Sequence, residues 1–363
     1  MAHRTSRRIP AAAALATALI LATAGCGSDP APGPQPGHGL TGALRNLKNW
    51  KSADWAAWAH QHAFTNQIAK DLWSPDALKA PAPSPAPAPT PSKSADDQND
   101  PLPPAAPALA EQHPYPAPLA VFGRIVAKSP QGTYVCSGTV VSDPQHPGRS
   151  NLVWTAGHCL HGGKGGDWLK NIAFIPAYND SGAASGGRSA PLAQVAPDGR
   201  WWANYATVAP QWMAEGSDDS GGAVNQYDSG IIRVTDPDLP GESLEQAVGG
   251  SVPIWFNAPR DRIGAVTAYG FPAGPPFDGQ ELEHCTSARA SRLSYDPTRP
   301  TMLTIGCAMT GGASGGGWLA TGPDGRPALV SNTSIGPTPA SWLAGPALDD
   351  QAAQMFDFMT HLA

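Results

Sequence analysis

The sequence predicts an all-β domain ended by one helix, carried behind an export signal, a short helical segment and a Pro-rich linker. Three observations predict this. From about Pro116 onward, short apolar runs are broken by Gly, Pro, Asn and Asp, the pattern of strands joined by turns. Residues 81–92, PAPSPAPAPTPS, hold no large apolar side chain and cannot supply a core. The N-terminus carries a basic region followed by an apolar stretch too short for an ordinary spanning helix.

The leader consists of Arg4, Arg7 and Arg8 followed by the apolar residues 9–24. Two processing readings stand at its end. Ala22-Thr23-Ala24 fits cleavage between small residues and release of a soluble protein. Thr23-Ala24-Gly25-Cys26 resembles a bacterial lipobox, with Thr23 where Leu is usual, and would make Cys26 the lipidated first residue. The chain has five Cys, an odd count that leaves one thiol to explain in an exported protein. With lipid on Cys26, the remaining Cys136, Cys159, Cys285 and Cys307 can form two disulfides. The expectation is a signal peptide with lipobox over 1–26. The protein is then held on the outer face of the cell membrane by lipid at Cys26, or secreted.

Residues 27–80 form the next segment. Within it, 40–74 is expected to be helical: Phe64, Ile68 and Leu72 share one face, Ser52 is a candidate N-cap with Asp54 in the first turn, and Pro75 lies beyond the end. Its four Trp suit either a pro-segment or docking element, or a small helical hairpin packed on the main domain. Residues 81–115 read as an extended, Pro/Ala-rich stalk. The domain proper is 116–363, with strands expected at 121–127, 134–142, 152–155, 172–176, 230–235, 263–270, 302–306, 317–320 and 328–332. Met355, Phe358, Met359 and Leu362 recur at helical spacing and place a helix over 349–362. A net charge of −6 leaves no basic footprint, so no nucleic-acid partner is expected.

Acyl transfer through serine needs an exposed hydroxyl, an imidazole to take its proton, a carboxylate to orient that imidazole, and N–H donors aimed at the oxyanion. The chain offers one candidate for each. Ser314 lies in Gly311-Gly312-Ala313-Ser314-Gly315-Gly316-Gly317, where glycines permit the positive-φ turns that turn N–H groups inward. The N–H groups of Gly312 and Ser314 are the candidate oxyanion donors. His158 ends the apolar run Leu152-Val153-Trp154-Thr155-Ala156-Gly157-His158-Cys159. His158, Cys159 and His161 could also suggest zinc, but no CxxC pair or metal-binding helix accompanies them. Asp228 opens the apolar run Ser229-Gly230-Ile231-Ile232-Arg233-Val234, an unusual place for a carboxylate without a partner. Asp218 and Asp219 sit in a polar Gly/Ser loop, where a solvated role is expected.

The segments Cys136-Ser137-Gly138-Thr139-Val140-Val141, Thr155-Ala156-Gly157-His158-Cys159, Asp228 and 311–316 occur in the His–Asp–Ser order of chymotrypsin-like serine peptidases. Over roughly 116–363 the chain resembles the bacterial secreted, trypsin-like branch of that family. The resemblance implies two antiparallel β-barrels, about 116–238 and 239–363, with the site between them and the C-terminal helix beside the second. It implies the pairs Cys136–Cys159 and Cys285–Cys307. It also implies a substrate pocket with Ala308 and Met309 in its wall, and substrate pairing along Val330, Ser331, Asn332 and Thr333.

Two departures matter. Ala313 stands where animal trypsin-like zymogens carry the Asp that accepts the new N-terminus, so Ile125 is expected in a strand and a cut after Arg124 is not expected to activate. Ala308 stands where trypsin-type enzymes carry an Asp, so neutral P1 residues are expected. The leading expectation is a serine endopeptidase acting on protein or peptide substrates through an acyl-enzyme, without cofactor or metal, as a monomer. The alternative is a non-catalytic cell-envelope binding protein that keeps the fold.

Overall fold

Fourteen strands and five short helices order the described residues of the computed structural model, which are 47–66, 99–129, 132–217 and 225–362. The leader with Cys26, Ile68 and Leu72 of the expected helix, linker residues 81–98, and Asp218 with Asp219 lie outside them. In chain order the strands are β1 Leu109–Ala110, β2 Phe122–Ser129, β3 Gly132–Val141, β4 Leu152–Thr155, β5 Lys170–Pro176, β6 Trp201–Val208 and β7 Gly230–Thr235. They continue as β8 Val266–Gly270, β9 Glu283–Ser287, β10 Ser291–Leu293, β11 Met302–Gly306, β12 Gly317–Thr321, β13 Pro327–Asn332 and β14 Trp342–Gly345. The helices are α1 Ser52–Gln61, α2 Leu192–Val195, α3 Pro210–Glu215, α4 Leu244–Val248 and α5 Asp350–Thr360.

The first half is a closed antiparallel barrel in the order β2-β3-β4-β7-β6-β5. Its strands are buried almost end to end: all four residues of β4 and the last six of β5 are inside. Ile125, Val140, Val153, Phe174, Trp201 and Ile232 share the inner face, so each strand contributes apolar area to one core. The expected strand for Ile125 is present as part of β2, where it pairs with Cys136 on one side and Phe174 on the other.

The second half does not close, which corrects the expectation of two barrels. It consists of a five-stranded sheet, β1-β9-β8-β12-β13, and a separate three-stranded sheet, β10-β11-β14. Residues 99–110, which composition groups with the linker, run along both sheets. β1 takes the free edge of β9, pairing Leu109 with His284 and Ala110 with Glu283. Upstream, the same arm bonds to the other sheet: Asp100 N–H donates to Arg292 O, and Ser294 N–H donates to Asn99 Oδ1. A Cβ on Gly306 of β11 would come within 1.9 Å of Pro104 O, so the arm runs hard against that strand. The arm lies along β9 and beside β10, which do not pair with each other; β13 and β14 do not pair either, so this half stays as two sheets.

α5 also departs from its implied place beside the second half. It is capped by Asp349, whose carboxylate accepts from Gln351 N–H and Ala352 N–H. It then packs on the first barrel, against β6 and β7, with Phe358 tilted on Tyr205. α1 docks on α5 through Trp55, whose indole N–H donates to Gln354 Oε1 at 3.3 Å. Helix α1 ends at Gln61, well short of the expected span, because the chain must extend to deliver Asn66 to the barrel. Asn66 Nδ2 donates to Ile172 O and Ala203 O, and its Oδ1 accepts from Ile172 N–H, which bridges β5 to β6 beyond their own short pairing. Among the described residues no helix is long and apolar enough to cross a membrane.

Candidate active site

β4 ends at Thr155, and a 3-10 turn over Gly157–Cys159 turns His158 toward the junction of the two halves. Two features hold that turn. Cys159 is disulfide-bonded to Cys136 on β3, and a Cβ on Gly157 would come within 3.0 Å of the Trp212 ring and 3.1 Å of Asp228 Oδ1. The second disulfide is Cys285–Cys307, so both implied pairs are formed.

Asp228 lies just before β7 and is 0% exposed. His158 N–H donates to its Oδ1 at 2.8 Å, and His158 Nδ1 lies 2.7 Å from its Oδ2. The hydroxyl of Ser334 donates to the same Oδ2 at 2.6 Å. A carboxylate removed from water is tolerated only when such donors replace its hydration, and three do so here. They also fix the imidazole with Nδ1 turned to the carboxylate and Nε2 turned away from it.

Ser314 sits in a loop whose shape two glycines permit. Gly312 has φ +101° and Gly315 has φ +79°, and a Cβ on Gly312 would come within 2.6 Å of Phe271 O. Ser137 of β3 ties this loop to the His158 turn. Its N–H donates to Ser314 O at 2.8 Å, its hydroxyl donates to Gly312 O at 2.9 Å, and its carbonyl accepts from Thr155 Oγ1 at 2.9 Å. Cys159 Sγ lies 3.6 Å from Ser314 O, so the two segments touch. Among the described residues neither Gly312 N–H nor Ser314 N–H donates to a main-chain acceptor, although the flanking N–H groups of Ala313, Gly315 and Gly316 all do.

The residues named for substrate are placed as follows. Ala308 is half-buried, and Met309 is buried with Ala313 and Val330 in the core of the second half. Ser331 donates its hydroxyl to Pro346 O. Asn332 accepts from the Trp154 indole and donates to the main-chain carbonyl of Asp228, and so ties down the backbone that carries the carboxylate. Thr333 has its main chain committed to the Ser314 loop, with its N–H on Gly316 O and its carbonyl on Gly315 N–H.

Ser334 is the functional candidate that sequence reading missed. It follows directly on the run Ser331-Asn332-Thr333, whose small polar side chains after an apolar strand were the available signal. The zinc reading finds no donor set here. Cys136, His158 and Cys159 bring their donor atoms within 4.8 Å of one another, but the two sulfurs form a disulfide and offer no thiolate. His161 accepts from Gly163 N–H, and burial holds its pKa at about 4, which leaves a neutral, structural imidazole.

Solved structures share this fold over their whole lengths. A thermostable serine protease from an extremophilic microorganism is 30% identical, with 68% of this chain and 100% of that one covered at a TM-score of 0.55. The protease Anisep from Arthrobacter nicotinovorans is 28% identical over 70% of this chain and 100% of its own, at a TM-score of 0.54. A Glu endopeptidase, 14% identical over 72% of this chain and 99% of its own at a TM-score of 0.51, shares the fold. No family model and no curated protein matches the chain. With its two disulfides, its barrel and this likeness, the chain belongs to the trypsin-like, chymotrypsin-fold serine peptidases.

Proposed function

We propose that the protein is an exported serine endopeptidase in which Ser314 is the nucleophile, His158 the general base and acid, and Asp228 the orienting carboxylate. The observation that carries this reading is the buried Asp228 carboxylate, which holds His158 Nδ1 at 2.7 Å while Ser334 occupies its remaining face. His158 Nε2 takes the Ser314 proton as Oγ bonds to the substrate carbonyl carbon. The carbonyl π pair moves to oxygen, where the N–H groups of Gly312 and Ser314 meet it. Collapse breaks the C–N bond, and the amine leaves with the proton from His158. Water, activated by the same imidazole, then hydrolyses the acyl-enzyme.

The half-buried Ala308 and the buried Met309 support neutral P1 residues, since a charged P1 group would meet no counter-charge from either. The leader supports export, with lipid at Cys26 as the anchor; mass spectrometry of the mature N-terminus reports lipidation and processing together. The central test is labelling with a fluorophosphonate probe. Wild type should react, Ser314→Ala should not, and Asp228→Asn should slow peptide cleavage by about 10⁴-fold. An unreactive wild type would leave the fold without the chemistry.

A further inference from the structure

One buried charge takes no part in the mechanism above. Arg124 lies on β2 of the barrel and is 0% exposed. Among the described residues none sits in hydrogen-bonding geometry to its three guanidinium nitrogens. The guanidinium carbon lies 4.9 Å from the centre of the Tyr178 ring; burial works against its charge, and Tyr178 first and Asp278 after it favour that charge. Such a group is costly to keep, and an apolar side chain of similar size is commonly neutral or better for stability. Its position points to another role.

Above the guanidinium runs loop 271–282, which joins β8 to β9. Gly279, at φ +77°, has its Cβ position 3.3 Å from Arg124 Nη2 and 2.9 Å from the Ala273 Cβ. Ala273 N–H and Gly274 N–H donate to Gly311 O at 2.6 and 3.0 Å, and Thr310 Oγ1 donates to Gly274 O at 2.7 Å. Phe271 O and Ala273 N stand 2.6 and 2.7 Å from where a Cβ of Gly312 would be, so the loop sets the Gly312 peptide. From the barrel side Tyr178 donates its hydroxyl to Gln280 Oε1 at 2.7 Å, and Asn179 Nδ2 donates to Gln280 O at 3.0 Å.

We infer that Arg124 is a positioning residue: stacked on Tyr178 under Gly279, it holds loop 271–282 at the height that aims the Gly312 N–H at the oxyanion. It acts through the loop and touches no reacting atom. The inference rests on the proposed serine-peptidase reading and adds to it a residue from the opposite half of the molecule.

The test is Arg124→Met in the full chain, assayed on enzyme titrated for active sites. The expected result is a kcat lower by about 10- to 100-fold with KM within about threefold. A peptide trifluoromethyl ketone, whose adduct places an oxyanion at Gly312, should lose affinity by the same factor, while a product peptide binds as before. The melting temperature should be unchanged or higher, which a merely structural arginine would not allow. Wild-type kcat and ketone affinity in Arg124→Met would overturn the inference. If that variant does not fold, Tyr178→Phe and Gln280→Ala decide, with smaller losses in the same direction expected and wild-type values in both overturning it. A wild type that neither labels with fluorophosphonate nor cleaves peptide overturns the underlying reading instead, so the two failures are distinct.

Discussion

The two halves of the molecule reach stability by different routes. The first closes six strands on themselves, so every edge is used and the main-chain ladder is continuous. The second holds seven strands of its own in two sheets and gains an eighth, β1, from outside, on an arm of chain that precedes the barrel in sequence. That arm joins β9 on one side and Arg292 and Ser294 on the other. Asp100 is its strongest point: its carboxylate accepts from Arg292 N–H at 2.8 Å and from Arg292 Nε at 3.1 Å, and pairs with Arg260 at 3.2 Å. The site straddles both, with His158 and Asp228 from the closed half and Ser314 from the open one. The geometry proposed for catalysis therefore depends on the less self-sufficient half.

The comparison is broken or sustained most directly by removing the arm. Deleting residues 99–110 from the full chain should destabilise the protein by about 3–5 kcal/mol, through lost charge-assisted and main-chain bonds. Hydrogen exchange should locate the loss in β9, β10 and β11 and leave the protection of β3 and β7 nearly intact. Equal loss in both halves would mean that the barrel is no more independent than its neighbour.

The disulfides refine the contrast because they are matched in loop size. They span 23 and 22 residues, so chain entropy assigns each about 3 kcal/mol. Cys285–Cys307 links the middle of β9 in one open sheet to the end of β11 in the other, whereas Cys136–Cys159 ties β3 to the turn that follows β4, two strands already joined in a ladder. Replacing Cys285 and Cys307 with Ser should therefore lower the melting temperature more than replacing Cys136 and Cys159. The second replacement should instead cost more activity, since it frees the His158 turn. A calorimetric scan with a peptide assay on both variants checks this, and the reverse ranking would sink it.

The same contrast separates what the sequence made legible from what it did not. The turn Thr155-Ala156-Gly157-His158-Cys159 and the glycines around Ser314 are local devices, readable because neighbouring residues alone explain them. β4, β7 and β11 were readable as buried apolar runs. β9 was not: Glu283-His284-Cys285-Thr286-Ser287 shows no apolar alternation, although three of its residues are buried. Trp201–Val208 was missed as well, and its ladder carries a bulge between Ala203 and Tyr205. The arm escaped because its fit comes from partners nearly two hundred residues away: Arg292, Ser294 and Gly306. Ser334 escaped for the same reason, since only the folded chain brings its hydroxyl to Asp228.

The smallest of the expected effects concerns Glu283, where the arm meets β9. It pairs with Ala110 of β1 and Gly270 of β8 and is 6% exposed. Burial, with Glu281, Glu111 and Asp278 nearby, pushes its pKa up to about 7. Below about pH 4.5 the group is protonated in folded and unfolded chains alike and costs nothing. As pH rises toward 7, the unfolded chain releases the proton while the folded chain keeps it, so stability falls, and above 7 the penalty is complete. The expected loss is on the order of 2 kcal/mol. His113 beside Glu281 and His284 beside Glu111 face the same cluster. Glu283→Gln should flatten it, as read from urea midpoints between pH 4.5 and 7.5. If the arm is what completes the open half, the residual pH dependence in wild type should appear in the exchange of β1 and β9 and leave the barrel strands unmoved. A pH effect spread evenly over β3 and β7 would instead make the cluster a general charge burden, with no particular bearing on the arm.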